Sequence, residues 1–469
     1  MLDVKSLINK VITTLNKTEI ENKAGIKTAV SEDMSTAIDV WSRMYADAPN
    51  WASNEVKTMN LPAEIAAEFA RLITIEMESE ITGSARADYL NIILQQEVLE
   101  KLRQQVEYAC AKGGIVLKPY IDGDTITVDF IQADCFFPIS FDSSGRLTGA
   151  VFVDQIIRGK KIYTRLESQQ FNDSGIYEVK NKAFMSSLKN VLGSQISLAD
   201  VDQWADLQPE IVIQNVDRPL FAYFKVPFAN TIDPRSALGV SVYSRAVSQI
   251  EEADKQWSRL LWEFEGSELA IDADMVALGK DSAGKLSMPR LNKRLFRGLN
   301  INGGNSGADF YKVFSPAIRD ASLLNGLNAI LIRVEDACGL ARGTFSDPSI
   351  DPKTATEILS SKQKSYSTIR DCQKSLQNAL DDLVYAMDIM ATLYQLSPVG
   401  TYETSYNWDD SIINNPSDSK QMFWQYVVAG KYPFWRYLVK YEGYSEDEAR
   451  EIETEAQSSV SASLGFGGA

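Results

Sequence analysis

The chain has 469 residues, 45% of them hydrophobic and 23% charged, and its 63 Asp and Glu outnumber 47 Lys and Arg for a net charge of −16. That length predicts several domains, ordinary Gly and Pro levels exclude a fibrous or wholly disordered chain, and the acid surplus excludes a protein that coats DNA over its whole surface. The sequence contains no histidine, which excludes imidazole-based triads and most zinc and iron sites, so any catalysis would rest on carboxylates, lysine or tyrosine.

No apolar run approaches the roughly 20 residues of a membrane span. The first ten residues interleave charges with apolar positions, unlike a secretory signal, so the expected location is the cytoplasm of the cell that makes the protein. Cys110, Cys135, Cys338 and Cys372 stand singly and read as buried thiols.

Residues 1–112 read as helical. Ser31 caps a helix carrying Ile38, Trp41 and Met44 on one face, Pro62 sits at the start of a second, and a third runs from about Tyr89 to Ala111 and stops at Gly113 and Gly114. The period then changes. From 115 to 183, five short alternating runs separated by turn signals at Gly123, Gly145 and Gly175 predict a meander of antiparallel strands.

Residues 239–265 predict one amphipathic helix of roughly 40 Å, with Val242, Ala246, Ile250, Ala253, Trp257, Leu260 or Leu261 and Phe264 on its apolar stripe and Arg245, Glu251, Asp254, Lys255 and Arg259 opposite. A strand-rich excursion over about 266–313 follows. A returning helix then carries Leu323 or Leu324, Leu327, Ile330, Ile332 and Val334. A turn-rich loop, 340–352, precedes a capping box at Thr354–Glu357 and a very long helix through Leu393. Such long helices with narrow stripes need neighbours outside their own domain, which points to assembly. Beyond Pro398 comes a helical unit crowded with aromatics, Phe423 to Tyr444, which read as core, and a Gly-rich tail read as disordered.

Three patterns suggest chemistry. Gly279 to Lys285 has the spacing of a phosphate-binding loop, but Leu286 replaces the required Ser or Thr and Pro289 blocks the following helix, so it reads as a hairpin turn. Asp272 and Asp274, two apart on a strand, share a face without a third ligand, and Asp409 and Asp410 sit in a polar loop. Lys280, Lys285, Arg290, Lys293, Arg294 and Arg297 face only Asp281 among charged residues of that run, a local surplus suited to nucleic acid, an acidic partner or intersubunit salt bridges.

The order of the segments around Pro219–Pro227, Leu238–Ala246 with Ala253 and Asp254, Phe314–Asp320, Gly339–Ser346 and Lys353–Ile358 resembles the portal proteins of tailed double-stranded DNA bacteriophages, in the branch infecting Gram-positive bacteria. The resemblance covers about 30–460 and implies an α+β, mainly helical portal fold. Its parts would be a β-rich wing over 1–238 (helical 1–112, β-rich 115–183), a two-helix stem at 239–265 and 314–339, a small α/β clip at 266–313, a tunnel loop at 340–352, a long wing or backbone helix at 353–397 and a helical crown at 398–469. It further implies a twelve-membered ring at one capsid vertex that passes DNA during packaging and ejection. Expected partners are the terminase large subunit, the head–tail adaptor, and the major capsid and scaffolding proteins, with no membrane, metal or cofactor. The expected place is the virion, and the host cytoplasm during assembly.

By this resemblance Arg342, Gly343, Thr344, Phe345, Ser346, Asp347, Ser349 and Asp351 line the channel on a flexible loop that opens cheaply. Lys285, Arg290, Lys293, Arg294 and Arg297 contact the adaptor or DNA. Other readings are a ring-forming head–tail adaptor or capsid protein that gates no DNA, and a carboxylate-dependent nuclease.

Overall fold

The computed structural model describes residues 17–464 except 76, 189, 269, 275–295, 300–310, 349–354, 409–415 and 430. Contacts divide the chain into a larger unit, Met1–Thr74 with Ser79–Ser405, and a smaller one, Ile75–Glu78 with Tyr406–Ala469.

The N-terminal helices are α1 (Lys17–Ala24), α2 (Glu32–Tyr45) and α3 (Leu61–Thr74). Ser31 caps α2 as expected, its hydroxyl accepting from the Met34 amide at 3.3 Å. After strand β1 (Met77–Thr82), α4 (Ala85–Ile93) runs through a π-helical turn at Leu94–Leu99 into α5 (Glu100–Lys112). It stops at Gly113, whose φ of 96° is left-handed and whose added Cβ would lie 2.6 Å from the Gly239 carbonyl oxygen. Only glycine satisfies both demands.

The single meander predicted from the sequence is two sheets. β2 (Gly114–Asp122) and β3 (Thr125–Gln132) form one hairpin; β4 (Phe136–Phe141), β5 (Leu147–Arg158), β6 (Lys161–Phe171), β7 (Tyr177–Ser186) and β8 (Ser194–Ile196) form the other sheet, with β9 (Glu210–Ile213) also on β7. β10 (Ala222–Lys225) completes the first sheet beside β2. Strand β4 escaped the sequence reading because Phe136, Phe137 and Pro138 are all buried, leaving no alternation to detect.

Two helices then frame the excursion, α6 (Val247–Gly266) and α7 (Asp320–Cys338), with β11 (Ala270–Asp274), β12 (Phe296–Leu299) and β13 (Tyr311–Phe314) between them in the order β12-β11-β13. The helix expected from Gly239 begins only at Val247. Residues before it spend their hydrogen bonds on the body: the Val242 amide donates to the Cys110 carbonyl at 2.9 Å and the Tyr243 hydroxyl to the Trp41 carbonyl at 2.9 Å.

α8 (Ala355–Leu393) has 39 residues, about 58 Å at 1.5 Å per residue. Arg86, buried inside the larger unit, donates to the carbonyls of Asp388, Ser397 and Pro398 near the C-terminal end of α8, where cationic charge is favoured. β14 (Glu403–Trp408) pairs with β1.

The smaller unit holds α9 (Pro416–Val428), α10 (Phe434–Tyr437) and α11 (Glu446–Leu464). Its aromatics pack on one another, Phe423 against Tyr432 at 5.0 Å and Trp424 against Tyr437 at 5.2 Å between ring centroids, but the expected core is corrected: Tyr437 is buried, whereas Trp424, Tyr426 and Tyr444 are exposed. Among the described residues no helix is long and apolar enough to cross a membrane, and all four cysteines are buried and none is in a disulfide.

The two sheets are joined by charge. Lys118 on β2 donates to Glu167 on β6 at 2.7 Å, each side chain being 8% exposed, and Arg165 reaches the same carboxylate at 3.0 Å. Burial alone would raise Glu167, but Lys118, Arg165 and the Gln169 amide hold it at about 2, below the ordinary 4.5. A carboxylate depressed on folding stabilises above its ordinary value and loses that contribution as the pH falls toward 2. The gap corresponds to on the order of 3 kcal/mol. Denaturant unfolding followed from pH 5 to pH 2 should therefore show a steep loss of stability that Glu167→Gln flattens; parallel pH profiles for the two proteins would exclude the role.

Candidate functional site

The helix pair and the loop after it form the part of the larger unit with the most unusual polar chemistry. At its far end, Arg319 grips Glu263 with Nε at 3.1 Å and Nη2 at 2.8 Å, and its own amide adds a third bond at 3.1 Å. Gln256 donates to the Leu323 carbonyl at 3.1 Å, so the end of α6 lies beside the start of α7 and the helices run antiparallel. The Arg319 hydrogen bonds lower the Glu263 carboxyl below its usual range. The ion pair closes the helix pair where the excursion leaves it.

The buried face of α6 differs from the stripe predicted. Asp254, expected on the solvent face, is 2% exposed, while Phe264, expected in the core, is 46% exposed. Asp254 is turned inward because its carboxylate serves the body: Trp51 Nε1 donates to Oδ2 and the Met59 amide to Oδ1, both at 2.8 Å. Beside it the Lys57 amide donates to Ser258 Oγ at 2.7 Å. Burial pushes the Asp254 carboxyl up, partly opposed by these donors.

On α7 the buried residues are Leu327, Asn328, Leu331, Val334, Glu335 and Cys338, rather than a stripe through Ile330 and Ile332. Glu335 is fully buried. One of its oxygens accepts from the amides of Phe345 at 2.6 Å and Ser346 at 2.8 Å, and the other from the Gly343 amide at 3.2 Å and the Ser346 hydroxyl at 2.8 Å. Asn328 completes the clamp: its Oδ1 accepts from the Asp347 amide at 2.7 Å and its Nδ2 donates to the Asp347 carbonyl at 3.3 Å. Arg342 forms a two-pronged pair with Asp336 at 2.9 and 2.8 Å, and this pair holds the Asp336 carboxyl below its usual range.

α7 ends at Gly339, φ 80°, and the chain turns again at Gly343, φ 92°. From there it runs back along α7 by two turns, from Glu335 to Asn328. The expectation of a loop that buries little and opens cheaply is thus corrected for 340–347. Ser346 is buried on Glu335, Arg342 is engaged by Asp336, and Gly343, Thr344, Phe345 and Asp347 belong to the same clamped turn. Ser349 and Asp351 lie outside the described residues.

Of the basic run, Lys280, Lys285, Arg290, Lys293 and Arg294 lie outside the described residues, as do the Gly279–Lys285 turn, Asp409 and Asp410. Arg297 is on β12, and the strand register makes Arg297 and Lys312 the two Cα partners of Asp272 on β11. The register thus places Arg297 and Asp272 at neighbouring positions of one sheet, where the sequence reading treated them separately. Among the described residues no group of three or more His, Cys, Asp or Glu is placed to hold a metal.

Sequence reasoning missed Glu335, Asn328, Asp336 and Arg319. The available signal was Glu335 itself, an acid in register with Leu331 and Cys338 on a mostly apolar stripe.

Residues 15–462 match the family model described as phage portal protein, SPP1 Gp6-like. No curated protein matches the chain. Solved structures similar to it include one described as the virion of a native gene transfer agent particle, at 11% identity and TM-score 0.45 over 89% of this chain and 96% of that one. Another, the neck of a native gene transfer agent particle computed with C12 symmetry, matches at 11% identity and TM-score 0.42 over 92% and 97%.

The clamp has a direct test. Glu335→Gln replaces one acceptor oxygen with a donor facing amides that need acceptors, at a local cost of about 1–3 kcal/mol. Hydrogen exchange at the amides of Gly343, Phe345 and Ser346 should accelerate roughly 10- to 100-fold while α3 and α5 keep their protection. Unchanged exchange at those three amides would show that the loop is held by something else.

Proposed function

The chain belongs to the phage portal protein family, SPP1 Gp6-like, and from that membership we propose that it assembles as a ring of twelve subunits at one capsid vertex. The ring is the conduit for DNA during packaging and ejection and the docking platform for the terminase large subunit and the head–tail adaptor. It contacts the major capsid and scaffolding proteins, resides in the virion vertex, and assembles in the host cytoplasm. The observation that carries this reading is the family match over 15–462; the antiparallel helix pair with a small sheet between its two helices supports it.

In this reading residues 1–238 are the wing and α6 and α7 the stem. The excursion 266–313 is the clip, 340–352 the tunnel loop, 353–397 the backbone helix and 398–469 the crown. The basic residues Lys285, Arg290, Lys293, Arg294 and Arg297 serve adaptor docking or DNA contact. The chain performs no chemistry of its own, and nucleotide hydrolysis belongs to the terminase. A ring built from chains of charge −16 repels phosphate along most of its channel, which lets a duplex slide where a basic tube would hold it.

The clamp changes what the tunnel loop can do. Residues 340–347 are a fixed shoulder on α7, so contact that follows the moving duplex falls to the residues after Asp347. Weak, sequence-independent contacts suit that role.

Sedimentation of the purified protein with electron microscopy should show twelve-membered rings with a channel of duplex width; a protein that stays monomeric at every concentration would end the portal reading. Replacing Pro348 through Pro352 with two glycines leaves Ser346 on Glu335, and such rings should assemble normally yet yield few filled particles. A normal titre of infectious, filled particles would remove gating from this loop.

A further inference from the structure

A cavity of about 240 Å³ in the larger unit is lined by the residues before β5, the segment leading into β10 and one face of α8. Its charged lining is Arg146, Arg218 and Lys225 against one carboxylate, Asp382. Arg146 and Arg218 approach the same oxygen, Oδ1 of Asp382, at 3.3 and 3.4 Å. Two guanidinium groups thus share one acceptor atom, and each keeps further N–H donors to offer.

Lys225 is half-buried. Among the described residues no carboxylate lies within ion-pair distance of its ammonium, and burial is what depresses its proton affinity. Ser375 and Asn378, on the α8 face that carries Asp382, line the same cavity. Three positive groups against one negative leave an excess of two charges in a chain whose total is −16. A partly desolvated ammonium without a counter-charge is costly, and an arriving anion lowers that cost.

We propose that this cavity seats an acidic side chain from a second copy of the chain, an inference that rests on the ring reading above. Size and shape favour this occupant. A space of about 240 Å³ admits a single Asp or Glu side chain, whereas the phosphates of duplex DNA lie on a stiff convex rod that meets protruding cations. Asp382 also stands in the cavity and opposes a close-packed row of phosphates. Supply favours it too, because the chain carries 63 acidic residues against 47 basic ones, so each subunit brings surplus carboxylates to its neighbour. Arg146 and Arg218 provide directional donors and Lys225 the unneutralised charge.

The test uses assembled full-length rings made from a mixture of heavy-isotope-labelled and unlabelled chains. Zero-length carbodiimide coupling joins an amine to a carboxylate only where the two already touch, and mass spectrometry then reports the joined peptides. Lys225 should be found coupled to an Asp or Glu, with labelled-to-unlabelled pairs present. Rings of Lys225→Met should dissociate at a salt concentration lower by about twofold or more, and Lys225→Arg should restore the wild-type midpoint.

Coupling of Lys225 confined to single chains, or equal salt midpoints for the wild type and Lys225→Met, would overturn the proposal. So would a Lys225→Met ring of normal salt resistance that instead loses retention of a duplex DNA fragment. Rings that form without Lys225 coupling remove only the pocket's role, while a wild type that never forms rings removes the ring reading and this one with it.

Discussion

A helix pair that carries an excursion away from a folded body is held at its root, and here the root of each helix is fixed by a buried carboxylate that accepts backbone and indole N–H groups. Asp254 on α6 takes Trp51 and Met59; Glu335 on α7 takes Gly343, Phe345 and Ser346. A carboxylate suits this task because it only accepts and has about four lone-pair sites, whereas an amide would turn a donor toward other donors. Burying such a charge is costly unless its hydrogen bonds are made, and Glu335 meets that condition with four donors. The Glu263–Arg319 pair at the far end is of another kind: the Arg319 side chain is 72% exposed, so salt and solvent weaken it. Buried, fully bonded charge thus sits at the root and solvent-exposed charge at the far end.

That gradient bears on the ring reading proposed above. The loop after α7 is continuous with the root, and its first eight residues share the fixity of Glu335 and Asn328. Displacing residues 340–347 therefore means shifting α7 as a body. Such a shift would disturb the contact between α7 and α8, where Lys364 donates to the Asp336 carbonyl at 3.0 Å and an added Cβ on Gly339 would lie 3.1 Å from Thr368. Close packing of that kind transmits displacement into α8.

Periodic features were legible in the sequence. The Ser31 cap, the stop at Gly113, the five alternating runs, the return helix and the end of α8 at Leu393 lie where the sequence places them, because each depends on local rules of capping, turn chemistry or alternation. The failures are where tertiary bonding overrides them. Residues 239–246 have a helical pattern but bond to Cys110 and Trp41, so α6 starts late. Asp254 reads as solvent-facing by type, yet the Trp51 indole and Met59 amide need an acceptor. The clamp was invisible as a unit because Glu335 and Asn328 act on residues 343–347 through backbone amides, which have no sequence signature. Gly343 and Ser346 were read as turn formers, which is correct about conformation and silent about their shared partner.

Charge in the excursion is also subtler than a count. The run from Lys280 to Arg297 has six basic residues and one acid, but residues 270–314 as a whole have seven basic and four acidic. Register places one of those acids, Asp272, at a position between Arg297 and Lys312. Residues 270–314 have a net positive count in a chain whose total is −16. A patch of that sign attracts acidic partners and speeds their encounter, and its pull falls as salt rises. The buried carboxylates at the root are shielded from salt by the protein around them. The chain thus separates charge by depth: the Glu263–Arg319 pair lies where salt screens it, and Asp254 and Glu335 lie within the protein, bound to neutral donors.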